Sequence, residues 1–250
     1  MLVSTRRVVL ATLIAAAAAL TGPAALAQSM KGMGVVLIHG KAGGQGPLQP
    51  LAAALRADGA LVALPNMSWT SGYRTYDETL DEIARSVEGL RRQGVTRIVL
   101  AGHSLGANVA LGYAARRRGV AAVVAMAPGH RPQNFLTRIG ADIGRARAMV
   151  AAGQGQQTAI FTDFNQGKAL TVRTTAVAYL SFFDPAGPGN MANTAGKAGV
   201  PILWVIGTGD EAALRDPVPT GTGTRILVGA NHGDTPSVAV AEIMGWLRGR

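Results

Sequence analysis

Short runs of apolar residues recur along the chain and alternate with segments of helical periodicity. The runs are continuously apolar and rich in β-branched residues, as expected of strands that are covered on both faces. They predict strands near Val35–Ile38, Leu61–Leu64, Ile98–Leu100, Ala122–Ala125, Ile202–Ile206 and Ile226–Val228. The segments between them predict helices near Leu48–Asp58, Tyr76–Gln93, Leu105–Arg118 and Ser237–Leu247. This alternation predicts an α/β domain built on a parallel sheet with helices on both faces.

A long segment interrupts the alternation between the fourth and fifth predicted strands, from Pro128 to Val200. A structureless loop of that length is uncommon in a compact domain, so we expect a helical cap insertion at about 128–200, with one helix near Leu170–Phe183. All five phenylalanines lie in this insertion: Phe135, Phe161, Phe164, Phe182 and Phe183. They are expected to form the core of a small helical layer, to line an apolar substrate pocket, or to do both.

The first 27 residues have the order of an export signal. Arg6 and Arg7 precede an uncharged apolar stretch, Val8–Leu20, and small residues then lead to Ala27. We therefore predict residues 1–27 to be a signal peptide for the Sec or the twin-arginine route. Residues 28–250 would then be a periplasmic or secreted domain without a stable membrane span, and an uncleaved membrane anchor is the alternative.

The composition narrows the possible chemistry and partners. The chain has 250 residues, a formal net charge of +10 and no cysteine. The lack of cysteine excludes disulfides, thiolate catalysis and cysteine-ligated metals. The arginines cluster mostly at predicted helix ends, where they complement the helix dipole. No basic stripe with interleaved aromatic residues accompanies them, so nucleic acid is not an expected partner.

The segment GHSLG, residues 102–106, lies between a predicted strand and a predicted helix. It matches G-x-S-x-G, in which a sharp turn exposes a serine hydroxyl above the sheet. Small neighbouring residues let the strand and helix approach closely, and the first helical amides point towards developing negative charge. A simple Gly-rich turn is the alternative, but the strand–turn–helix context favours Ser104 as a nucleophile.

A serine nucleophile needs a base, and the chain has four histidines. His232 follows the last predicted strand on a short loop, where it can reach the edge of the sheet at which Ser104 is expected. His103 is expected to pack beside the site, His39 closes the first strand, and His130 has no evident partner. The sequence therefore favours His232 as the base.

An acid must hold the base in the correct tautomer. Asp210 lies immediately beyond the fifth predicted strand, at the same edge of the sheet as the serine. Glu211, Asp216 and Asp234 are weaker alternatives because of their positions, and Asp184 is expected to cap a helix or form a turn. Asp210 is therefore the predicted acid.

The loop after the first strand, His39–Gly44, is rich in glycine and lets the backbone approach a carbonyl oxygen closely. An oxyanion hole is predicted from the backbone amide of Leu105 and that of Lys41, with Ala42 as the alternative to Lys41. The loop matches neither G-x-x-x-x-G-K-[ST] nor G-x-G-x-x-G, so a nucleotide is not expected.

Four blocks of the chain, VVLIHG, IVLAGHSLGANVAL, PILWVIGTGD and NHGD, resemble those of bacterial α/β-hydrolases. The nucleophile, acid and base also follow the chain order of that family. The resemblance implies an α/β-hydrolase fold and an exported esterase or lipase that forms an acyl-serine on a small-molecule or lipid-like ester, without a cofactor or a metal. After removal of the predicted signal peptide only Gln28–Met33 would precede the first clear strand, so the family's leading antiparallel strands are expected to be missing and the sheet to have about six parallel strands. A peptidase, a thioesterase, a lactonase or a non-catalytic binding module with this fold are the alternatives.

Overall fold

A computed structural model describes residues 29–41, 44–210 and 223–250. The predicted signal peptide, residues 1–27, lies outside the described residues. Within the described ranges, no helix has both the length and the apolar character that a membrane crossing requires.

The main sheet consists of six parallel strands. The strands of the described chain are β1 (Met33–Ile38), β2 (Leu61–Ala63), β3 (Arg97–His103), β4 (Ala122–Met126), β5 (Thr158–Asn165), β6 (Lys168–Thr175), β7 (Ile202–Gly207) and β8 (Thr224–Val228). The main sheet has the order β2-β1-β3-β4-β7-β8, and all its neighbouring pairs are parallel. This is the six-stranded parallel sheet that the sequence and its resemblance to α/β-hydrolases predicted.

Two apolar cores cover the two faces of this sheet. The α-helices of the described residues are α1 (Gln49–Ala57), α2 (Tyr76–Arg92), α3 (Leu105–Arg116), α4 (Leu136–Ala151), α5 (Ala176–Phe183), α6 (Thr235–Val238) and α7 (Val240–Arg248). Successive side chains of a strand point to opposite faces, so Val36 and Leu100 pack with α2 and α3, whereas Val35 and Val99 pack with α1 and α7. The continuous apolar runs of the sequence arise from this double coverage.

The insertion after β4 is only partly helical. It contains α4, a two-stranded antiparallel hairpin of β5 and β6, and α5. The prediction of one helix over Leu170–Phe183 was therefore wrong in its first half, which belongs to β6. β-branched residues such as Thr171 and Val172 favour a strand there. The turn of the hairpin has positive φ at Gln166 (47°) and Gly167 (79°), as in the tight turns that join two antiparallel strands.

Candidate active site

Ser104 occupies a strained backbone position between β3 and α3. It precedes the first residue of the helix and has φ 55° and ψ −117°. Positive φ is costly for a residue with a side chain and persists only where the surrounding structure imposes it. Here the Ser104 amide donates a hydrogen bond to the Met126 carbonyl (3.0 Å), which ties the turn to β4. The turn predicted from G-x-S-x-G is therefore present, and it holds Ser104 at the carboxyl edge of the sheet.

The glycines on either side of Ser104 are required by close packing between backbones. A β-carbon at Gly106 would lie 2.7 Å from the His39 carbonyl oxygen and closer still to that of Ile38. A β-carbon at Gly102 would overlap the Gly106 carbonyl. Helix α3 can therefore rest directly on the ends of β1 and β3 only because both positions lack a side chain.

The structure brings Ser104, His232 and Asp210 into one chain of hydrogen bonds. His232 Nδ1 lies 2.6 Å from Asp210 Oδ2, and His232 Nε2 lies 2.9 Å from Ser104 Oγ. A carboxylate only accepts, so the Nδ1–H donates to Asp210 and the unprotonated Nε2 accepts from the serine hydroxyl. In this tautomer the imidazole can take a proton from Ser104, and the buried carboxylate, 3% exposed, can stabilise the resulting imidazolium.

Adjacent strands of the sheet position the acid and the base. Asp210 follows β7, and His232 lies on the loop between β8 and α6. The two loops are bonded to each other, since the Gly209 amide donates to the Ala230 carbonyl (2.9 Å). The distance between Asp210 and His232 is therefore set by the pairing of β7 with β8 and by the loop contact beyond it.

The alternative acids do not replace Asp210 within the described chain. Asp234 binds Asn231 through its side chain (2.6 Å). Asp184 ends α5 and accepts two hydrogen bonds from Arg147 (3.0 and 2.8 Å), which fits the capping or turn role expected of it. Glu211 and Asp216 lie outside the described residues.

Two backbone segments adjoin Ser104 where an oxyanion hole was predicted. Leu105 is the first residue of α3, and amides of a first turn have no acceptor within their own helix. The loop after β1 passes very close to the serine, because a β-carbon at Gly40 would lie 2.9 Å from Ser104 Cβ. Lys41 follows directly and lines the same cavity as Ser104 and Leu105. Ala42, the alternative to Lys41, lies outside the described residues.

The side chain of Lys41 has a role that the sequence did not indicate. Its Nζ donates to Asp163 Oδ1 at 2.5 Å, and both side chains are buried. Asp163 belongs to β5, and its other oxygen accepts a hydrogen bond from the Tyr73 hydroxyl (2.8 Å). Burial lowers the pKa of Lys41, and the charge of Asp163 opposes that shift. An ion pair between residues 122 positions apart leaves no local signal in the sequence.

His103 supports the backbone at His232. Its Nε2 lies 2.8 Å from the His232 carbonyl oxygen, so the ring donates its proton to that carbonyl. Burial and the neighbouring His232 lower the pKa of His103 to about 4, which keeps the ring neutral near pH 7. This agrees with the expectation that His103 packs beside the site.

The two remaining histidines are buried structural groups. His39 Nε2 accepts from the Met67 amide (3.1 Å), and its Nδ1–H donates to the Gly40 carbonyl (2.8 Å). His130 Nε2 donates to the Phe182 carbonyl (2.7 Å), and its Nδ1 is buried without a partner in the described structure. Burial lowers the pKa of both rings.

A cavity of about 870 Å³ opens over Ser104. Its walls combine Phe135 and Phe164 with polar groups such as Asn134, Asn165 and Gln166. The two rings approach to 5.3 Å between centroids, and they join the start of α4 to the end of β5. The cavity has the size of a small-molecule site, and the insertion forms much of its wall.

The phenylalanines divide between the two roles that the sequence left open. Phe135 and Phe164 line the cavity. Phe161, Phe182 and Phe183 are at most 1% exposed and pack with tyrosines in the core that the insertion shares with α2 and α3. Of the roles that the sequence left open, Phe182 and Phe183 therefore have the core role. Among the residues that the structure describes, no group of three or more histidine, aspartate or glutamate side chains is arranged to hold a metal ion.

The comparisons with known proteins concern the whole domain. The sequence profile of the Alpha/beta hydrolase family matches residues 35–243. A search of curated proteins found no match.

Several solved structures share the architecture. A monoacylglycerol lipase of Paleococcus ferrophilus is 20% identical with a TM-score of 0.60, and the match covers 86% of this chain and 94% of that one. The alpha/beta hydrolase GrgF of a Penicillium species is 16% identical with a TM-score of 0.63 and coverage of 88% and 89%. An enol-lactonase of Burkholderia xenovorans is 17% identical with a TM-score of 0.56 and coverage of 86% and 90%. At these identities the likeness establishes the fold.

Proposed function

Because this chain belongs to the alpha/beta hydrolase family, we propose that it is a serine hydrolase that cleaves carboxylic esters through an acyl-serine. The observation that carries the proposal is the chain of hydrogen bonds from Ser104 Oγ to His232 and on to Asp210, at 2.9 and 2.6 Å. It lies on the wall of a cavity of about 870 Å³, large enough for an ester of drug-like size.

In the proposed acylation step, His232 Nε2 takes the proton of Ser104 as Oγ attacks the ester carbonyl carbon. The carbonyl oxygen becomes an oxyanion, which the backbone amides of Leu105 and Lys41 bind. Asp210 stabilises the imidazolium of His232 during this step. The imidazolium then protonates the leaving alcohol, and the acyl group stays on Ser104.

The deacylation step repeats the same proton transfers with water. His232 removes a proton from a water molecule as its oxygen attacks the acyl-serine carbonyl. The second oxyanion collapses, the proton returns to Ser104 Oγ, and the carboxylic acid leaves.

The strained turn supports a catalytic interpretation of Ser104. Strained backbone persists only where the surrounding structure imposes it, and it is concentrated at functional sites. The names of two structural neighbours, a monoacylglycerol lipase and an enol-lactonase, are in keeping with an ester substrate.

The proposal is tested with p-nitrophenyl esters from acetate to palmitate, assayed with the wild type and with Ser104→Ala. We expect turnover by the wild type and none above background by the variant. Ser71→Ala, which alters an exposed serine, is the matched control and should leave turnover unchanged. Labelling by a fluorophosphonate should follow the same pattern.

The same assay separates the alternatives. Turnover of amides, thioesters or lactones in preference to esters would replace the ester specificity but keep the serine mechanism. A protein that turns over none of these substrates and is not labelled by a fluorophosphonate would be a binding module with the fold of a hydrolase.

Export to the periplasm or the medium is a separate part of the proposal, and it rests on the sequence of residues 1–27. Mass spectrometry of protein expressed with the full chain in a bacterial host tests it. Export predicts an N-terminus at Gln28 in the periplasmic or extracellular fraction, and intact chains confined to the cytoplasm would contradict it.

A further inference from the structure

A buried polar network joins the loop after β1 to the insertion. Lys41 Nζ donates to Asp163 Oδ1 (2.5 Å) and to the Phe164 carbonyl (3.4 Å). Asp163 also accepts from the Tyr73 hydroxyl (2.8 Å) and from the Phe164 amide (2.6 Å). The carboxylate is therefore held from three sides by donors of the loop, of the segment before α2 and of its own strand.

Burying this charged network is an inefficient source of folding stability. Removing an ammonium and a carboxylate from water costs free energy that their attraction repays only when the geometry is favourable, and apolar substitutes are often equally stable. Here the Lys41 side chain is 7% exposed and that of Asp163 8% exposed, and Lys41 also lies 4.9 Å from the centre of the Phe183 ring. The ion pair fixes the position of the lysine ammonium group, whereas an apolar pair would not hold the end of the side chain at one point.

Fixing the Lys41 side chain matters for the proposed reaction because the loop that carries Lys41 passes close to Ser104. Gly40, the preceding residue, approaches Ser104 so closely that a β-carbon would lie 2.9 Å from Ser104 Cβ. Gly40 itself has no side chain that could hold this part of the loop in place. The buried Lys41 side chain anchors the loop one residue after Gly40, the point at which the loop approaches Ser104.

We infer that Asp163 and Tyr73 are positioning residues for the oxyanion hole: they hold Lys41, and thereby its backbone amide, against Ser104 from the β5–β6 hairpin. The inference rests on the proposed function, in which that amide binds the oxyanion. It makes the hairpin part of the catalytic geometry as well as part of the cavity wall. Neither residue touches the reacting atoms, so both act through Lys41.

The central test compares Asp163→Asn with the wild type on one p-nitrophenyl ester. The amide keeps the shape of the side chain and removes its charge. We expect kcat to fall between about 10-fold and 100-fold, the effect of a displacement of about 1 Å, while KM changes much less. Asp184→Asn is the matched control, since it weakens a partly exposed ion pair with Arg147 in the same insertion and should leave kcat unchanged.

A double variant separates positioning from stability. Lys41→Met with Asp163→Leu replaces the ion pair by apolar groups and should restore the melting temperature towards that of the wild type. If the pair positions the amide, kcat stays low in this variant. Recovery of kcat together with stability would overturn the inference, as would an unchanged kcat in Asp163→Asn.

Tyr73→Phe gives a milder perturbation if the other variants fold poorly. It removes one hydrogen bond to Asp163 and should weaken binding of a trifluoromethyl ketone, which mimics the oxyanion, in proportion to the loss of kcat/KM. Equal ketone affinity in Tyr73→Phe and wild type would contradict the inference. A wild type without serine-dependent turnover overturns the proposed function and this inference together, whereas an active wild type with insensitive variants overturns this inference alone.

Discussion

Replacing Gly106 with alanine tests how closely the helix after the serine must rest on the sheet. The new β-carbon would lie 2.7 Å from the His39 carbonyl oxygen and nearer still to that of Ile38. Carbon and oxygen atoms in favourable contact are about 3.3–3.6 Å apart. Both obstacles are backbone atoms at the end of β1, which pairs with β2 and β3 and cannot rotate away. Helix α3 must therefore withdraw by roughly 1 Å.

The withdrawal of α3 determines the expected losses of stability and of activity. Overpacking a core with one methyl group usually costs about 1–3 kcal/mol. Because rigid backbone surrounds Gly106, we expect the free energy of unfolding to fall by about 3 kcal/mol or more. A shift of about 1 Å between Ser104 and the oxyanion amides should also reduce kcat by about 100-fold in the folded fraction.

Urea denaturation at 25 °C and ester turnover measure the two effects. Gly144→Ala is the control: it is an exposed position of α4 with nothing within 4 Å of the added carbon, and it should gain about 0.5–1 kcal/mol in stability at unchanged kcat. A Gly106→Ala protein that is as stable and as active as the wild type would refute the close approach of α3 to β1.

Three further predictions concern the acid, the buried imidazole and the cavity. Asp210→Asn should lower kcat by about 1,000- to 10,000-fold at similar KM, because the amide favours the wrong tautomer of the base; loss of less than 10-fold would exclude Asp210 as the acid. His103, with its pKa lowered to about 4, is neutral in the folded protein, whereas an unfolded histidine takes up a proton below about pH 6.5. The contribution of His103 to stability should therefore be complete above pH 6.5 and decline by up to about 3 kcal/mol towards pH 4. His39 and His130, whose pKa values are also lowered, add to the loss, so His103→Gln should reduce the slope in urea titrations without abolishing it; identical slopes would refute this contribution. Phe164→Leu should shift the ratio of kcat/KM for octanoate and acetate esters by about 10-fold. Phe182→Ala should cost about 3–5 kcal/mol of stability without shifting that ratio, and a shift with Phe182 alone would exclude Phe164 from the acyl site.

The main sheet could be predicted because burial on both faces leaves a strong sequence pattern. Each of its strands lies within or beside an apolar run, and the carboxyl ends of parallel strands collect Ser104, Asp210 and His232 at one edge. The approach of these three side chains follows from topology, so the chain order and the strand ends were enough to place them together. Their roles in the reaction stay a proposal.

The insertion was harder to predict because its elements depend on contacts that are distant in sequence. The apolar residues of Leu170–Phe183 indicated a helix, but pairing with β5 makes the first half a strand. In the sequence, the pair Gln166-Gly167 at the turn and the β-branched residues that follow it were the features that could have indicated a hairpin. Which phenylalanines reach the cavity, and the pairing of Lys41 with Asp163, depend on how this hairpin packs, and no local pattern encodes that.

The late position of β8 along the chain has a consequence for the protein during its synthesis. Ser104 precedes His232 by 128 residues, and in the folded protein His232 follows β8, which pairs with β7. On the proposed mechanism, a chain in which β8 has not yet formed carries the nucleophile without its base, and we expect it not to be acylated. A chain truncated after Val228 should remain unlabelled by a fluorophosphonate, and labelling of that fragment would contradict this dependence. If the fragment stays unlabelled, the chain order of these residues makes the reactivity of Ser104 depend on completion of the sheet.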